Sequence, residues 1–429
     1  MKIIQYPDRN TWDSLCKRPS MERSGLEDAV RSILSKVKST GDKALFDFSE
    51  KYDGVVLKNL RVSDSEISES ANKVTVSLKD AIDVAKANIE KFHQPQLIKE
   101  QIIETTKGVK CWRKNVPIGR AGLYVPGGTA PLFSTVLMLA LPAKIAGCRE
   151  IILCTPPDKS GDVNPLILYA AYIAGVTDIF RIGGAQAIAA MAYGTETVPK
   201  VDKIFGPGNQ YVTKAKEMVQ LDGIPIDIPA GPSEVLVIAD KNADPSFIAS
   251  DLLSQAEHGT DSQVVLLTDS SDLMNSVKTE SDRQVMLLPR KKIALKALEN
   301  CSLILLKSLS DCIELSNLYA PEHLIISTSD PLPLVDQVTN AGSVFIGKYS
   351  CESAGDYASG TNHTLPTCGY AKNFSGVSAE SFVKKITFQE ISAEGLKNLG
   401  PVIEKMAEAE LLHGHKNAVT IRLKSLGNG

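Results

Sequence analysis

An α/β architecture is predicted by three features of the sequence: short continuous apolar runs of strand length, glycine-rich junctions that lead directly into helical stretches, and a turn-rich seam that divides these units into two sets. Ahead of them, the first 120 residues read mostly as helix. Ser24 can cap a helix whose apolar positions Val30, Ile33, Leu34 and Val37 recur at helical spacing and which stops at Gly41. A second stripe, Ala81, Val84, Ala85, Ile89 and Phe92, runs to the break at Pro95, with His93 read as solvated at its end. Residues 108–125 alternate in short stretches and suggest a hairpin leading into Gly122-Leu-Tyr-Val-Pro-Gly-Gly128. The most apolar window, 131–148, is interrupted by Ser134, Thr135, Pro142 and Lys144, which favours a buried helix over a bilayer span.

The strand–glycine–helix rhythm begins with Ile151-Ile-Leu-Cys154. It continues through Asp178-Ile-Phe-Arg-Ile-Gly-Gly184 and Lys203-Ile-Phe-Gly-Pro-Gly-Asn209, which run into helical stretches at 185–193 and 211–219. The seam is Ile228-Pro-Ala-Gly-Pro-Ser233. Beyond it lie Val235-Leu-Val-Ile-Ala239, Val264-Val-Leu-Leu-Thr268, Leu303-Ile-Leu-Leu306, Leu324-Ile-Ile-Ser327 and Val344-Phe-Ile346. Strands alternating with helices imply parallel sheets covered on both faces, in two units of similar size. Residues 394–415 are again helical in pattern, followed by a strand-like Ala418-Val-Thr-Ile-Arg422.

Composition narrows the function. The chain has 429 residues, 43% apolar and 23% charged, enough for a large buried core. A net charge of -3 without a basic tract, and only 6% aromatics, argue against a nucleic-acid or anionic-membrane surface. No signal-peptide pattern opens the chain, and eight cysteines without a C-x-x-C motif fit a reduced, cytoplasmic protein. Small molecules and other copies of the chain are the expected partners.

Pro126-Gly-Gly128, Gly183-Gly184 and Gly206-Pro-Gly-Asn209 each precede a helix. Free N–H groups at such junctions favour phosphate, so a nucleotide site is one reading and tight βα turns without ligand the other. Gly206-Pro-Gly-Asn-Gln-Tyr211 lacks the third glycine of G-x-G-x-x-G. Six histidines occur, five of them in the second half. Gln255 and His258, three apart, share a face if helical, and with Asp356 and a C-terminal histidine they make an N/O set suited to Zn²⁺. Pro321 favours a turn in which Glu322 and His323 can meet in one site, a carboxylate and an imidazole able to activate water and move protons; two solvated side chains are the alternative. Cys111 and Cys154 lack the neighbours a reactive thiolate needs. The same metal set with Glu322-activated water also fits a zinc hydrolase, although that leaves the glycine junctions without a purpose.

Ser-Gln-Ala-Glu-His-Gly (254–259), Ala-Pro-Glu-His-Leu (320–324), the 122–128 segment, Gly-Gly-Ala-Gln-Ala-Ile-Ala (183–189) and Pro-Ala-Gly-Pro-Ser-Glu (229–234) resemble the histidinol dehydrogenase family. So do Ser353-Ala-Gly-Asp356, Gly360-Thr-Asn-His363-Thr-Leu-Pro366 and Glu410-Leu-Leu-His-Gly-His415, over nearly the whole chain and in order. The resemblance implies an NAD-dependent, zinc-containing oxidation of L-histidinol to L-histidine, the last step of histidine biosynthesis, in two hydride transfers through L-histidinal. It implies two incomplete Rossmann-like units with smaller helical arms in an intertwined homodimer that shares its active sites. The expected divisions are a 1–122 helical segment packing on the second α/β unit and a 123–232 NAD-binding unit. A 233–375 unit would carry zinc and the catalytic residues, and a 376–429 arm would be exchanged between protomers. Zinc would be held by Gln255, His258, Asp356 and His415. Substrate would touch these four and Ser233, His323, His363 and Glu410. His323 would take the alcohol proton and Glu322 would activate water, while Tyr124, Gln186 and Asn209 would contact NAD. The Glu-x-Leu-x-x-His pattern selects His415 over His413, which reads as exposed.

Overall fold

The computed structural model describes residues 1–18, 25–97, 99–127, 130–228 and 231–427. Within them the chain forms two compact units, Met1–Gln94 with Ile118–Phe382, and Pro95–Pro117 with Val383–Gly429. Both predicted α/β sets lie in the first unit.

The first set is a four-stranded parallel sheet in the order Asp178–Arg181, Glu150–Thr155, Arg120–Tyr124, Lys203–Phe205. The second is a six-stranded parallel sheet in the order Lys2–Gln5, Ser302–Leu305, Gln263–Thr268, Glu234–Ala239, His323–Ser327, Ser343–Ile346. Its apolar runs are continuous because both faces are covered. Val235 and Val237 enter one core cluster, whereas Leu236 and Ile238 enter another on the opposite face. Each such side chain stabilises the fold by roughly 1.5–3 kcal/mol relative to exposure. The 131–148 window contains the helix Phe133–Ala146, buried nearly all round because its apolar residues occupy every face.

Helix Leu26–Thr40 buries Val30, Ile33, Leu34 and Val37 and ends at Gly41 (φ 53°), as the spacing predicts. Ser24, its expected cap, lies outside the described residues, as do Gly128, Pro229 and Ala230. The 1–122 segment does not pack as one body on the second α/β set. Lys2–Gln5 joins the six-stranded sheet, but Leu26–Thr40 and Asp42–Phe48 share a core with helices Gly184–Tyr193 and Gln210–Leu221 of the first set. Periodicity identifies an apolar face without saying which other apolar layer it meets. His93 is fully buried rather than solvated, its Nδ1 2.9 Å from the Ile89 carbonyl.

The second unit holds a three-stranded antiparallel sheet in the order Val383–Ile391, Val109–Pro117, Ile103–Thr106. The hairpin therefore turns at Gly108 (φ 80°), earlier than the 108–125 pattern suggested, and Arg120–Tyr124 goes instead to the parallel sheet. Helices Ala393–Ala409 and His413–Gly427 pack together, with Gly400 against Leu423. The strand expected at 418–422 is part of the second helix: packing overrides the β-preference of Val419, Thr420 and Ile421. The 376–429 arm accordingly has its first strand at Val383, with residues 376–382 in the first unit.

Candidate functional site

A cavity of about 710 Å³ opens in the first unit, lined among others by Asn209, Ser233, Gln255, His258, Glu322, His323, Asp356 and His363. Most of the residues singled out in the sequence thus meet. Tyr124 and Gln186 are not in its lining, and Glu410 and His415 belong to the second unit, where both are exposed, as is His413.

Two helices face each other across the metal-binding candidates. Helix Pro245–Ala256 carries Asp251 and Gln255, and the His258 N–H donates to the Gln255 carbonyl (3.2 Å) just past its end. Helix Glu352–Tyr357 carries Glu352 and Asp356 one turn apart. Ligand atoms of His258, Glu352 and Asp356 all lie within 4.8 Å of one another. Glu352 was missed in the sequence, although its i, i+4 spacing to Asp356 was the available signal. In the orientation its partners require, the Gln255 amide donates to Glu352 (3.0 Å) and accepts from the Glu234 N–H (3.2 Å).

Charge accumulates here. Burial, reinforced by Asp356, Glu322 and Asp251, holds Glu352 well above the usual carboxylate range. Burial also pushes Glu322 up to about 8. It opposes the charge on Asp356 too, but His323, His363 and His258 outweigh it and hold that carboxyl low. Enclosure lowers His258, which faces solvent through the cavity, and burial lowers His363. Carboxylates crowded to this degree beside a histidine, with Glu352 driven toward its neutral form, suit a divalent cation.

His323 sits at the start of strand His323–Ser327, delivered by the Ala320-Pro321 turn that follows helix Leu309–Tyr319. Its Nδ1 lies 3.1 Å from the Glu234 carbonyl, which can only accept, so Nδ1 carries a proton. Nε2 is buried without a hydrogen bond, 3.5 Å from Asp356 Oδ1. Burial disfavours its charge, yet Glu322, Glu352 and Asp356 together raise it to about 10. Glu322 Oε2 accepts from the Glu234 N–H at 2.8 Å and lies 3.7 Å from His323 Nδ1. Carboxylate and imidazole therefore share one backbone anchor. Both nitrogens of His363 are engaged, Nδ1 at the Asp356 carbonyl (2.8 Å) and Nε2 at Thr135 Oγ1 (3.0 Å).

The nucleotide candidates lie at the carboxyl edge of the four-stranded sheet. Tyr124 ends its strand, and its buried hydroxyl accepts from the Gly184 N–H (3.0 Å). Gln186 is buried in the first turn of Gly184–Tyr193. Asn209 caps Gln210–Leu221, accepting from the Tyr211 and Val212 N–H groups at 3.0 and 3.1 Å. Gly206 (φ 124°) brings the chain so close to the Tyr124 carbonyl that a Cβ would collide with it. The Cys154 thiol is pushed up by burial, away from thiolate chemistry.

Asp251 gives a test of this electrostatic picture. Burial pushes it up to about 7, so the native state holds a proton that the unfolded chain releases near its ordinary value of 3.8. Stability is therefore lost as pH rises between these values, reaching roughly 2–4 kcal/mol above pH 7. In chelator-treated protein, Asp251→Asn should raise the melting temperature by a few degrees at pH 8 and by much less at pH 5. An equal effect at both pH values contradicts the assignment.

Among known proteins, the sequence pattern of the family described as histidinol dehydrogenase matches residues 16–423. Histidinol dehydrogenase of Bacteroides thetaiotaomicron is 58% identical over 426 residues, 99% of this chain and 100% of that one. The Escherichia coli K12 enzyme of the same name is 53% identical over 415 residues, 96% of this chain and 95% of its own. The crystal structure of histidinol dehydrogenase from Elizabethkingia anophelis superposes with a TM-score of 0.97 at 54% identity, covering 100% of this chain and 99% of that one.

Proposed function

Because the chain belongs to the histidinol dehydrogenase family, we propose that it oxidises L-histidinol to L-histidine through L-histidinal with NAD and zinc, as the last step of histidine biosynthesis. It is an oxidoreductase, so the hydrolase reading of the same residues falls. The observation that carries the mechanism is His323, with Nδ1 committed to the Glu234 carbonyl and Nε2 buried without a hydrogen bond, 3.5 Å from Asp356.

His323 Nε2 takes the alcohol proton as hydride departs from the carbinol carbon, giving the aldehyde. Glu322 takes a proton from the water that adds to the aldehyde while His323 Nε2 returns its proton to the carbonyl oxygen, and His323, neutral again, takes a hydroxyl proton of the hydrate in the second oxidation. When bound, zinc would anchor substrate and neutralise the carboxylates that hold His323 protonated, and NAD would accept a hydride in each oxidation. Gln255, His258, Asp356 and His415 would hold the metal, with Glu352 accepting from the Gln255 amide. Ser233, His363 and Glu410 would complete the substrate contacts. The NAD reading is supported by helices Gly184–Tyr193 and Gln210–Leu221, which begin at the carboxyl ends of Asp178–Arg181 and Lys203–Phe205 beside Tyr124, Gln186 and Asn209.

A homodimer in which each chain lends Glu410 and His415 to its partner is supported by the second unit's own surface. Strand Val383–Ile391 exposes Ile386, Phe388 and Ile391, the two helices expose Met406 and Ile421, the turn between them exposes Leu411, and His413–Gly427 buries no residue. A cytoplasmic location follows from the biosynthetic role, and no described helix is long and apolar enough to cross a membrane.

The division of labour is tested by two variants. His323→Asn should slow both oxidations by about 100-fold or more, whereas Glu322→Gln should slow histidinal oxidation by at least about 10-fold more than histidinol oxidation. Single-turnover NADH formation from each substrate reads this out. Equal slowing of the two steps in Glu322→Gln removes its water-activating role.

A further inference from the structure

Glu322 and His323 take their orientation from one residue. The N–H of Glu234 donates to Glu322, and its carbonyl accepts from His323 Nδ1. Glu234 is itself completely buried, and its carboxylate is gripped by a residue more than two hundred positions away. Arg18 Nε donates to Oε1 and Nη2 to Oε2, both at 2.8 Å, while the Cys368 N–H donates to Oε1 at 3.0 Å. The same guanidinium lies 3.6 Å from the centre of the Tyr319 ring, and its Nη2 donates to the Tyr319 carbonyl at 2.9 Å. A further bond, Nη1 to the Cys16 carbonyl (2.9 Å), fixes it from behind.

The Tyr319 carbonyl marks where the chain turns toward the catalytic pair. Ala320 follows in a left-handed conformation (φ 53°), strained for a residue with a Cβ, and Pro321 comes next. Arg18 therefore touches two supports at once: the side chain whose backbone anchors the pair, and the entry to the turn that carries it. Only a planar fork can meet a carboxylate bidentately and stack on a ring simultaneously; lysine, a point charge, cannot. Removing it would leave the Glu234 carboxylate buried and uncompensated, free to shift toward water and take its peptide group along.

We propose that Arg18, acting through Glu234, is a positioning residue for the Glu322–His323 pair, an inference that rests on the acid–base role of that pair. The experiment is a double-mutant cycle in the full-length metal-loaded enzyme with histidinol and NAD. Arg18→Ala should lower kcat by about 100-fold, as expected of misplaced catalytic groups, with KM and bound metal within about threefold of wild type. In the His323→Asn background the same change should cost less than about twofold, because the group being positioned is gone. Methylguanidinium should restore part of the kcat of Arg18→Ala and none of that of His323→Asn. If Arg18→Ala does not fold, Arg18→Lys, which keeps the charge, serves in the same cycle with the same expectation. A wild-type kcat in the Arg18 variant, or losses that multiply in the double variant, overturns the proposal while leaving the pair's role intact. A wild-type kcat in His323→Asn alone overturns both.

Discussion

Purified His258→Asn protein is expected to bind divalent metal about 100-fold more weakly than wild type and to lose a comparable share of its turnover. His258 is the nitrogen donor in a group otherwise made of carboxylates, and it follows directly on helix Pro245–Ala256. An asparagine there replaces the imidazole nitrogen with an amide, a harder and weaker donor. The fold should survive, because His258 faces the cavity rather than the apolar clusters of the six-stranded sheet. Metal content after dialysis, followed by histidinol-dependent NADH absorbance and a melting curve, separates these outcomes. A variant that keeps stoichiometric metal and normal turnover shows that His258 is not a ligand.

Refolding His258→Asn together with His415→Asn should return about a quarter of wild-type activity from two nearly inactive proteins. If His415 serves the partner's site, a mixed dimer has one site with both histidines and one with neither. Random pairing makes about half the dimers mixed, and half of their sites are intact. If His415 serves its own chain, every site in the mixture still lacks one histidine and nothing returns. The control is wild type carried through the same unfolding, with mixed dimers shown to form by differently tagged chains. No recovery under those conditions rules out exchange of the arm.

The parts legible in the sequence are those in which one local pattern has one physical cause. Val235-Leu-Val-Ile-Ala239 and Val264-Val-Leu-Leu-Thr268 are buried on both faces, and nothing but a covered sheet accommodates such runs. Gln255, His258, Glu322, His323 and Asp356 stood out as chemistry-bearing residues and do line one cavity. What stayed hidden depended on partners far along the chain. Glu234, Glu352 and Asp251 receive no role from the sequence, because burial of a carboxylate leaves no mark on its neighbours in sequence. Arg18 read as nothing at all, since its meaning lies in Glu234 and Tyr319. His93 failed for the same reason: the surface that closes over it comes from elsewhere.

The strand Lys2–Gln5 pairs in parallel with Ser302–Leu305, and nearby Arg9 bonds to Asp311, 302 residues further on. During translation at roughly 5–20 residues per second, that strand leaves the ribosome about 15–60 s before its neighbour exists. Ile3 and Ile4 must wait unpaired through the synthesis of the whole four-stranded sheet and of Glu234–Ala239 and Gln263–Thr268, long after local helices have had time to form. Glu234–Ala239 and Gln263–Thr268 can pair in the meantime, but the edge that Ser302–Leu305 will cover stays open to any extended segment. Crowded polysomes, where many such edges wait side by side, are where this chain is most exposed to pairing with the wrong copy of itself.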